Sequence, residues 1–286
     1  MKKIFIDYIY SIYLLLLVLK RSKRKLYKKI VFDNAKRSPE TILRILGNGN
    51  SLNEKIKSFT NGNVEYMVVN RHVLSDSYSF IKPKYYVLAD EHFFIRDEGL
   101  NILKKIKKMT KWKLRLFVPF SHNIVNVINL MFLNDKNIEI VYYNATCSQF
   151  YDIGIKSLIY FLYDKNLLVP RIQNVIVAAI YLGINMNYKN IELYGVEHSW
   201  TKYLYVDENN DLCLYNSHFY DKQEIEGKKV KDIQYNPNVK LHSELRDYAN
   251  MFASYWLLNE YAKSKEVEII NCTKGSFIDA FKRSNY

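Results

Sequence analysis

Cysteine and glycine are both scarce in this chain. Its three cysteines, Cys147, Cys213 and Cys272, are odd in number and far apart, so they form neither a disulfide framework nor a zinc-type cluster, and a reducing cytoplasm is the default compartment. Glycine occurs nine times in 286 residues. No G-K-[ST] loop, G-x-S-x-G elbow or H-E-x-x-H helix is present, which removes P-loop, serine-hydrolase and zincin readings. There is no D-x-D either, so the metal-diphosphate site of one large transferase class is missing; this favours chemistry with no metal and no cofactor. The N-terminal apolar run from Ile4 to Leu19 is sixteen residues broken by Asp7. That is short of the roughly 20 needed to span a bilayer, and no small-residue cleavage site follows it.

Apolar residues make up 49% of the chain, enough for a sizeable core in one large domain or two closely packed ones. The net charge of +13 is concentrated at one end. Residues 1–37 carry eleven Lys and Arg against Asp7 and Asp33, which leaves only +4 for the remaining 249 residues, so the sequence does not read as a nucleic-acid binder. Apolar residues followed by seven cations between Lys20 and Lys29 fit an amphipathic, basic helix that meets an anionic membrane through residues 4–29, peripheral or monotopic on the cytoplasmic face of the inner membrane. A short true span, or a basic helix packed on its own domain, are the alternatives. Residues 34–41, NAKRSPET, read as a linker, which divides the chain into a membrane-associating segment (1–37) and a catalytic domain (38–286).

Beyond that linker, short β-branched or aromatic runs predict strands at 41–46, 64–69, 84–89, 114–120, 138–143, 191–195 and 267–271. Helical periodicity predicts helices over 98–111, 171–186 and 243–265. Alternating strands and helices indicate an α/β fold with a mostly parallel sheet, whose ligands gather at the carboxyl ends of the strands. Polar residues cluster at those ends: the turn GNGNSL after the first strand, Asn70, Arg71 and His72 after the second, Asp90, Glu91 and His92 after the third, and Glu197 to Trp200 after IELYG.

Gly47 and Gly49 let a ligand approach the backbone closely. Asn48 can donate and accept, and Ser51 can cap the next helix, whose N-terminus would attract a phosphate. The same turn is equally consistent with ordinary turn geometry. The sequence has the wrong spacing for a dinucleotide fingerprint.

Taken in order, the strand-GNGxSL turn (Gly47 to Leu52), Asn70, Arg171-Ile172, the run from Lys189 to Glu197, and Asn216-Ser217-His218 resemble the bacterial sialyltransferases of glycosyltransferase family 42. The resemblance covers roughly residues 42–275. It implies a Rossmann-like domain with a small lid, here around 199–235, a CMP-activated nonulosonate donor, and inverting transfer without metal. By position it implies that Asn48 and Asn70 contact the donor and that Asp90 stands where the family has Asn. Arg171 would lie near donor or acceptor, Gly195 and Glu197 near the cytidine ribose, and Tyr205 at the phosphate, with His218 as the general base. The chain departs from the family at Asn50, in place of Pro, at Gln173 and Asn174, in place of Thr-Ser, and at Ser199, where a phosphate-binding Tyr is expected. GVEHSW and NCTKGS also resemble a wider set of surface-polysaccharide proteins and hydroxymethylpterin diphosphokinase-like proteins.

A single-displacement glycosyl transfer needs a base near neutral pKa and donors for the leaving phosphate. His218 is the first candidate for the base, His198 the second, and His92 also sits where it could face a cleft. Tyr203 and Tyr205, with Trp200 and Lys202, are either a phosphate-closing lid or a plain aromatic hairpin. Arg171 is either a carboxylate clamp or a polar first-turn residue. The expected partners are a nucleotide sugar, CMP-linked by preference, and a glycan or lipid-linked glycan acceptor; oligomeric state is left open. The rival readings are a transferase using another nucleotide sugar, a diphosphokinase-like enzyme using ATP, and a non-catalytic nucleotide- or glycan-binding subunit of polysaccharide assembly.

Overall fold

The computed structural model describes residues 2–23, 38–59, 62–150, 152–215, 227–234 and 236–284. Its strands are β1 Ile42–Leu46, β2 Val64–Val69, β3 Tyr85–Val87, β4 Leu114–Pro119, β5 Ile138–Tyr143, β6 Asn190–Tyr194, β7 Leu204–Val206, β8 Leu212–Leu214, β9 Lys228–Lys229, β10 Glu268–Asn271 and β11 Lys282–Arg283. Eight of them form one sheet in the order β11-β10-β6-β1-β2-β3-β4-β5, with every neighbouring pair parallel. The other three form an antiparallel sheet, β7-β8-β9. All seven strand segments expected from β-branched runs belong to the parallel sheet. The two-residue β11 is too short to leave a pattern in the sequence.

The helices are α1 Lys2–Lys23, α2 Leu52–Ile56, α3 Tyr78–Ile81, α4 His92–Ile95, α5 Asp97–Met109, α6 His122–Phe132, α7 Lys156–Asp164, α8 Val175–Asn185, α9 Val230–Gln234 and α10 Leu241–Ser264. Helix α8, VIVAAIYLGIN, is apolar on every side and buried along its whole length, packed between the sheet and α10. Helix α5 is amphipathic and buries Gly99, Ile102, Leu103 and Ile106 on the opposite face of the sheet. The sheet therefore separates two core layers, one built on α7, α8 and α10 and the other on α3 to α6.

Helix α1 joins the first of these layers. Its Tyr10, Leu14 and Val18, on one stripe at every fourth residue, are buried with Ile159, Leu162 and Tyr163 in the main core. Helix α1 is thus packed on the folded body through this stripe, while the expected boundary at residue 37 falls outside the described residues. Residues 24–37, including most of the cationic run and part of the linker, lie outside the described residues.

Candidate active site

The chain proceeds outward from β1 through β2, β3, β4 and β5 and returns to β6 on the other side of β1. A crevice opens at such a reversal, outside the carboxyl ends of the two strands. Here the turns after β1 and β6 meet. The Gly47 N–H donates to the Tyr194 carbonyl at 2.8 Å and the Gly49 N–H to the Gly195 carbonyl at 2.9 Å. A Cβ on Gly47 would lie 2.3 Å from the Gly195 carbonyl oxygen, and Gly195 itself has φ +63°. Both positions therefore need glycine, one for close approach and one for a left-handed backbone.

The Glu197 carboxylate lies directly on this turn. Its Oε1 accepts from the Ser51 N–H at 2.7 Å, and a Cβ on Gly49 would fall 1.4 Å from its Oε2. This corrects the expectation for Ser51: its side chain makes no capping bond, and the anion at the start of the five-residue α2 is the protein's own Glu197. The carboxylate from the β6 turn supplies the acceptor that the backbone N–H requires, so the side-chain hydroxyl is not needed as a cap. Glu197 Oε2 is buried without a hydrogen-bond partner.

Beside the turn, Asn48, Asn70 and Asp90 line one cleft of about 180 Å³ together with Arg71, His92, Arg96, Glu98 and Ile233 of α9. Asn48 Nδ2 donates to the Val69 carbonyl at 3.3 Å, which fixes the amide orientation and leaves Oδ1 buried with no donor. Asn70 holds φ +51°, a conformation Asn tolerates better than most residues. Its N–H donates to the Val87 carbonyl at 3.1 Å and its carbonyl accepts from the Tyr86 hydroxyl at 2.5 Å. Its Oδ1 is likewise buried without a donor. A buried acceptor lacking a donor costs on the order of 1–3 kcal/mol, which a ligand hydroxyl or N–H would recover.

Asp90 is exposed at the mouth. Its Oδ1 accepts from the His92 N–H at 2.9 Å and lies 3.2 Å from His92 Nδ1. Arg71 pairs with Glu98 at 2.5 Å, and the hydrogen bond from Arg71 holds the Glu98 carboxyl below its ordinary range. The cleft thus joins amide acceptors for hydroxyl groups to arginine and histidine donors suited to anionic oxygens.

His198 does not join this cleft. It is buried, its ring stacked on Trp200 at 4.5 Å, with Nδ1 3.2 Å from the Tyr255 hydroxyl. Desolvation pushes its pKa down to about 3, so it stays neutral in the core and is poorly placed to exchange protons with a substrate. The periodicity of GVEHSW could not reveal this, because burial of His198 comes from α10. His218, with Asn216 and Ser217, lies outside the described residues.

Arg171, Gln173 and Asn174 sit on the α8 side, apart from the residues lining the Asn48 cleft. Asn174 is the N-cap of α8, its Oδ1 accepting from the Ile176 N–H at 2.8 Å. Gln173 donates to Asp247 of α10 at 2.7 Å. Arg171 precedes the helix instead of opening it, its carbonyl accepting from the Ser254 hydroxyl at 3.0 Å, and it borders a narrow crevice with Ser148, Gln149 and Phe150. Ser199 starts the short 3-10 turn Trp200–Tyr203 without a side-chain capping bond. Tyr203 is exposed on that turn. Tyr205 lies on β7 stacked against Tyr215 at 5.1 Å, and a Cβ on Gly227 would fall 2.2 Å from its hydroxyl. The segment is an antiparallel hairpin whose tip is ordered by Asp207 Oδ1, which accepts from the Asn209 and Asp211 N–H groups.

Arg96, Glu98 and Ile233 are cleft residues that the sequence reading did not single out. The first two stand in the charge-dense run DEHFFIRDEG directly after β3, a signal that was present. Ile233 carries none, since only folding brings α9 over the cleft.

No protein-family profile matches the chain, and no curated protein matches it. Among solved structures the chain is similar to the sialyltransferase CstII from Campylobacter jejuni in complex with the substrate analogue CMP-3FNeuAc, at 14% identity and a TM-score of 0.44 over 86% of this chain and 89% of that one. It is also similar to the monofunctional alpha-2,3-sialyltransferase Cst-I from the same organism, at 13% identity and a TM-score of 0.46 over 90% and 83%.

Proposed function

We propose that this chain is a sialyltransferase-like glycosyltransferase that moves a nonulosonate-class sugar from a CMP-linked donor to a hydroxyl of a glycan acceptor. The observation that carries the reading is the pair of buried, donor-less amide oxygens of Asn48 and Asn70, residues that line the cleft at the carboxyl ends of β1, β2 and β3. Two asparagines with unsatisfied amide oxygens, in the lining of a cleft that also holds arginine and histidine, suit a ligand combining hydroxyl groups with anionic oxygens, which a nucleotide sugar does. The order of motifs from GNGNSL to Asn216-Ser217-His218 favours CMP over other nucleotides.

In the transfer, a base takes the acceptor hydroxyl proton as that oxygen attacks the anomeric carbon. The bond from that carbon to the phosphate oxygen breaks, and its electron pair leaves with CMP. His218 holds the role of base by resemblance. His92 is the second candidate, because the Asp90 carboxylate 3.2 Å from its Nδ1 would orient the ring and steady the imidazolium that forms. Arg71 and Arg96 line the cleft in which the departing phosphate would be met.

The test is a thermal-shift panel of CMP, CDP, UDP, GDP and ATP on the full chain, each with and without magnesium. A ligand at a hundred times its dissociation constant adds about 2.7 kcal/mol of stability. Stabilisation by CMP without metal is the expected result, followed by transfer from CMP-sugars. Loss of transfer in His218→Ala or in His92→Ala, with CMP stabilisation intact, identifies the base. Stabilisation by ATP with magnesium alone would overturn the reading in favour of the diphosphokinase-like one. CMP binding without transfer from any CMP-sugar would leave a binding subunit.

A further inference from the structure

Helix α1 is fastened to the domain along one stripe and bare along the rest. On the inner stripe, Asp7 Oδ1 accepts from the Gly154 N–H at 2.8 Å and Ser11 Oγ from the Ile155 N–H at 2.9 Å. The Tyr10 hydroxyl accepts from the Gln149 and Phe150 N–H groups at 2.8 and 3.2 Å, Leu14 is 0% exposed, and Arg21 donates to Thr146 at 2.8 Å. These contacts recur at helical spacing from Asp7 to Arg21, so the orientation of the helix about its own axis is set by the fold. The outer face is apolar and bare: Phe5 is 66% exposed, Ile12 56% and Leu16 59%, with Ile9, Tyr13 and Leu19 beside them. An apolar face of this extent on a folded domain marks a surface that meets another apolar phase.

We propose that α1 is an interfacial anchor, held on the domain by its inner stripe, whose outer face inserts into an anionic phospholipid surface. Charge selects this occupant over a second copy of the chain. Lys2 and Lys3 stand at one end of the helix and Lys20 at the other, while the helix's single acid, Asp7, is committed to the Gly154 N–H on the inner stripe. Pairing two such helices face to face, parallel or antiparallel, brings cationic ends together with no acid to answer them. An anionic headgroup layer answers both ends, and the lysine stems reach it from a helix lying flat. Among the described residues no helix is long and apolar enough to cross a membrane. The loop that grips α1 follows the carboxyl end of β5, so the anchor is tied to the edge of the sheet on which the cleft opens.

The test is co-sedimentation of the full chain with phosphatidylcholine vesicles and with vesicles containing phosphatidylglycerol, at low and high salt. The expected result is binding to the anionic vesicles that weakens with salt, and a fall of roughly tenfold or more in partitioning for Ile12→Lys/Leu16→Lys at unchanged melting temperature, since both side chains are exposed. Vesicle binding that the double variant leaves unchanged would overturn the proposal. So would a dimer seen by light scattering, without vesicle binding, that the variant dissociates. Bound protein that resists extraction at alkaline pH would show a span and overturn it as well. The nucleotide thermal shift of the double variant is expected to match the parent chain, so failure of the anchor and failure of the transfer reading are separable.

Discussion

Lowering the pH from 7.4 to 5.0 should destabilise this fold mainly through two buried histidines, His72 and His198. Burial pushes both down to about 3, against about 6.5 in an unfolded chain. Each contributes stability that is fully present above about pH 6.5. Between the unfolded and folded values the unfolded chain binds more protons, so stability falls as pH falls. At pH 5.0, one and a half units below the unfolded value, the loss is about 2 kcal/mol per histidine and about 4 for the pair. The result does not depend on where near 3 the folded values lie. Glu65, Glu98 and Glu260 have lowered values, and their contributions are lost only as pH drops below about 4.5, so they have barely begun to matter at pH 5.0. The assay is urea unfolding at several pH values on the parent chain and on His198→Asn. Asparagine suits the φ of +48° at this position and does not titrate. Losing the stack on Trp200 lowers stability at every pH, but the dependence on pH should shrink by about half. An equal pH dependence in the two proteins would refute the reasoning.

Further substitutions examine the turn and the cleft. Gly49→Ala drives a methyl into the Glu197 carboxylate and should cost about 1–3 kcal/mol in urea unfolding, whereas Gly62→Ala, with open space around it, should stay within about 0.5. Adding Glu197→Ala to Gly49→Ala should give a loss smaller than the sum of the two single changes, because the colliding partner is gone; strict additivity would count against the clash. Asn70→Gly keeps the left-handed backbone and removes only the amide, so CMP affinity measured by calorimetry should fall about tenfold or more while the melting temperature moves little.

The glycine turn shows how far a sequence carries and where it stops. That GNGNSL ends a strand and precedes a helix follows from local pattern, and so does the placement of Asn70 and Asp90 at neighbouring strand ends. The neighbour on the other side of β1 is β6, almost 150 residues later, and only that pairing brings Glu197 onto the Ser51 N–H. Ser51 therefore looked like the cap when the cap was distant in sequence. The same limit applies to His198, which reads as a polar loop residue until α10 places Tyr255 against it. It applies also to α1, which the sequence shows only as an apolar run: which of its faces meets protein depends on α7 and the loop before it.

What the sequence determined by itself was the main elements: seven strands of the parallel sheet, three long helices, an apolar start followed by cations, and polar residues at the strand ends. These are written in periods of two and 3.6 residues, which act between near neighbours in the chain. The tertiary structure alone decided which strand ends meet, which polar atoms are left buried without partners, and which histidine loses its water. Those outcomes depend on burial and on contacts between elements well separated in the chain, from 57 positions for His198 and Tyr255 to 146 for Ser51 and Glu197, and no local pattern encodes them.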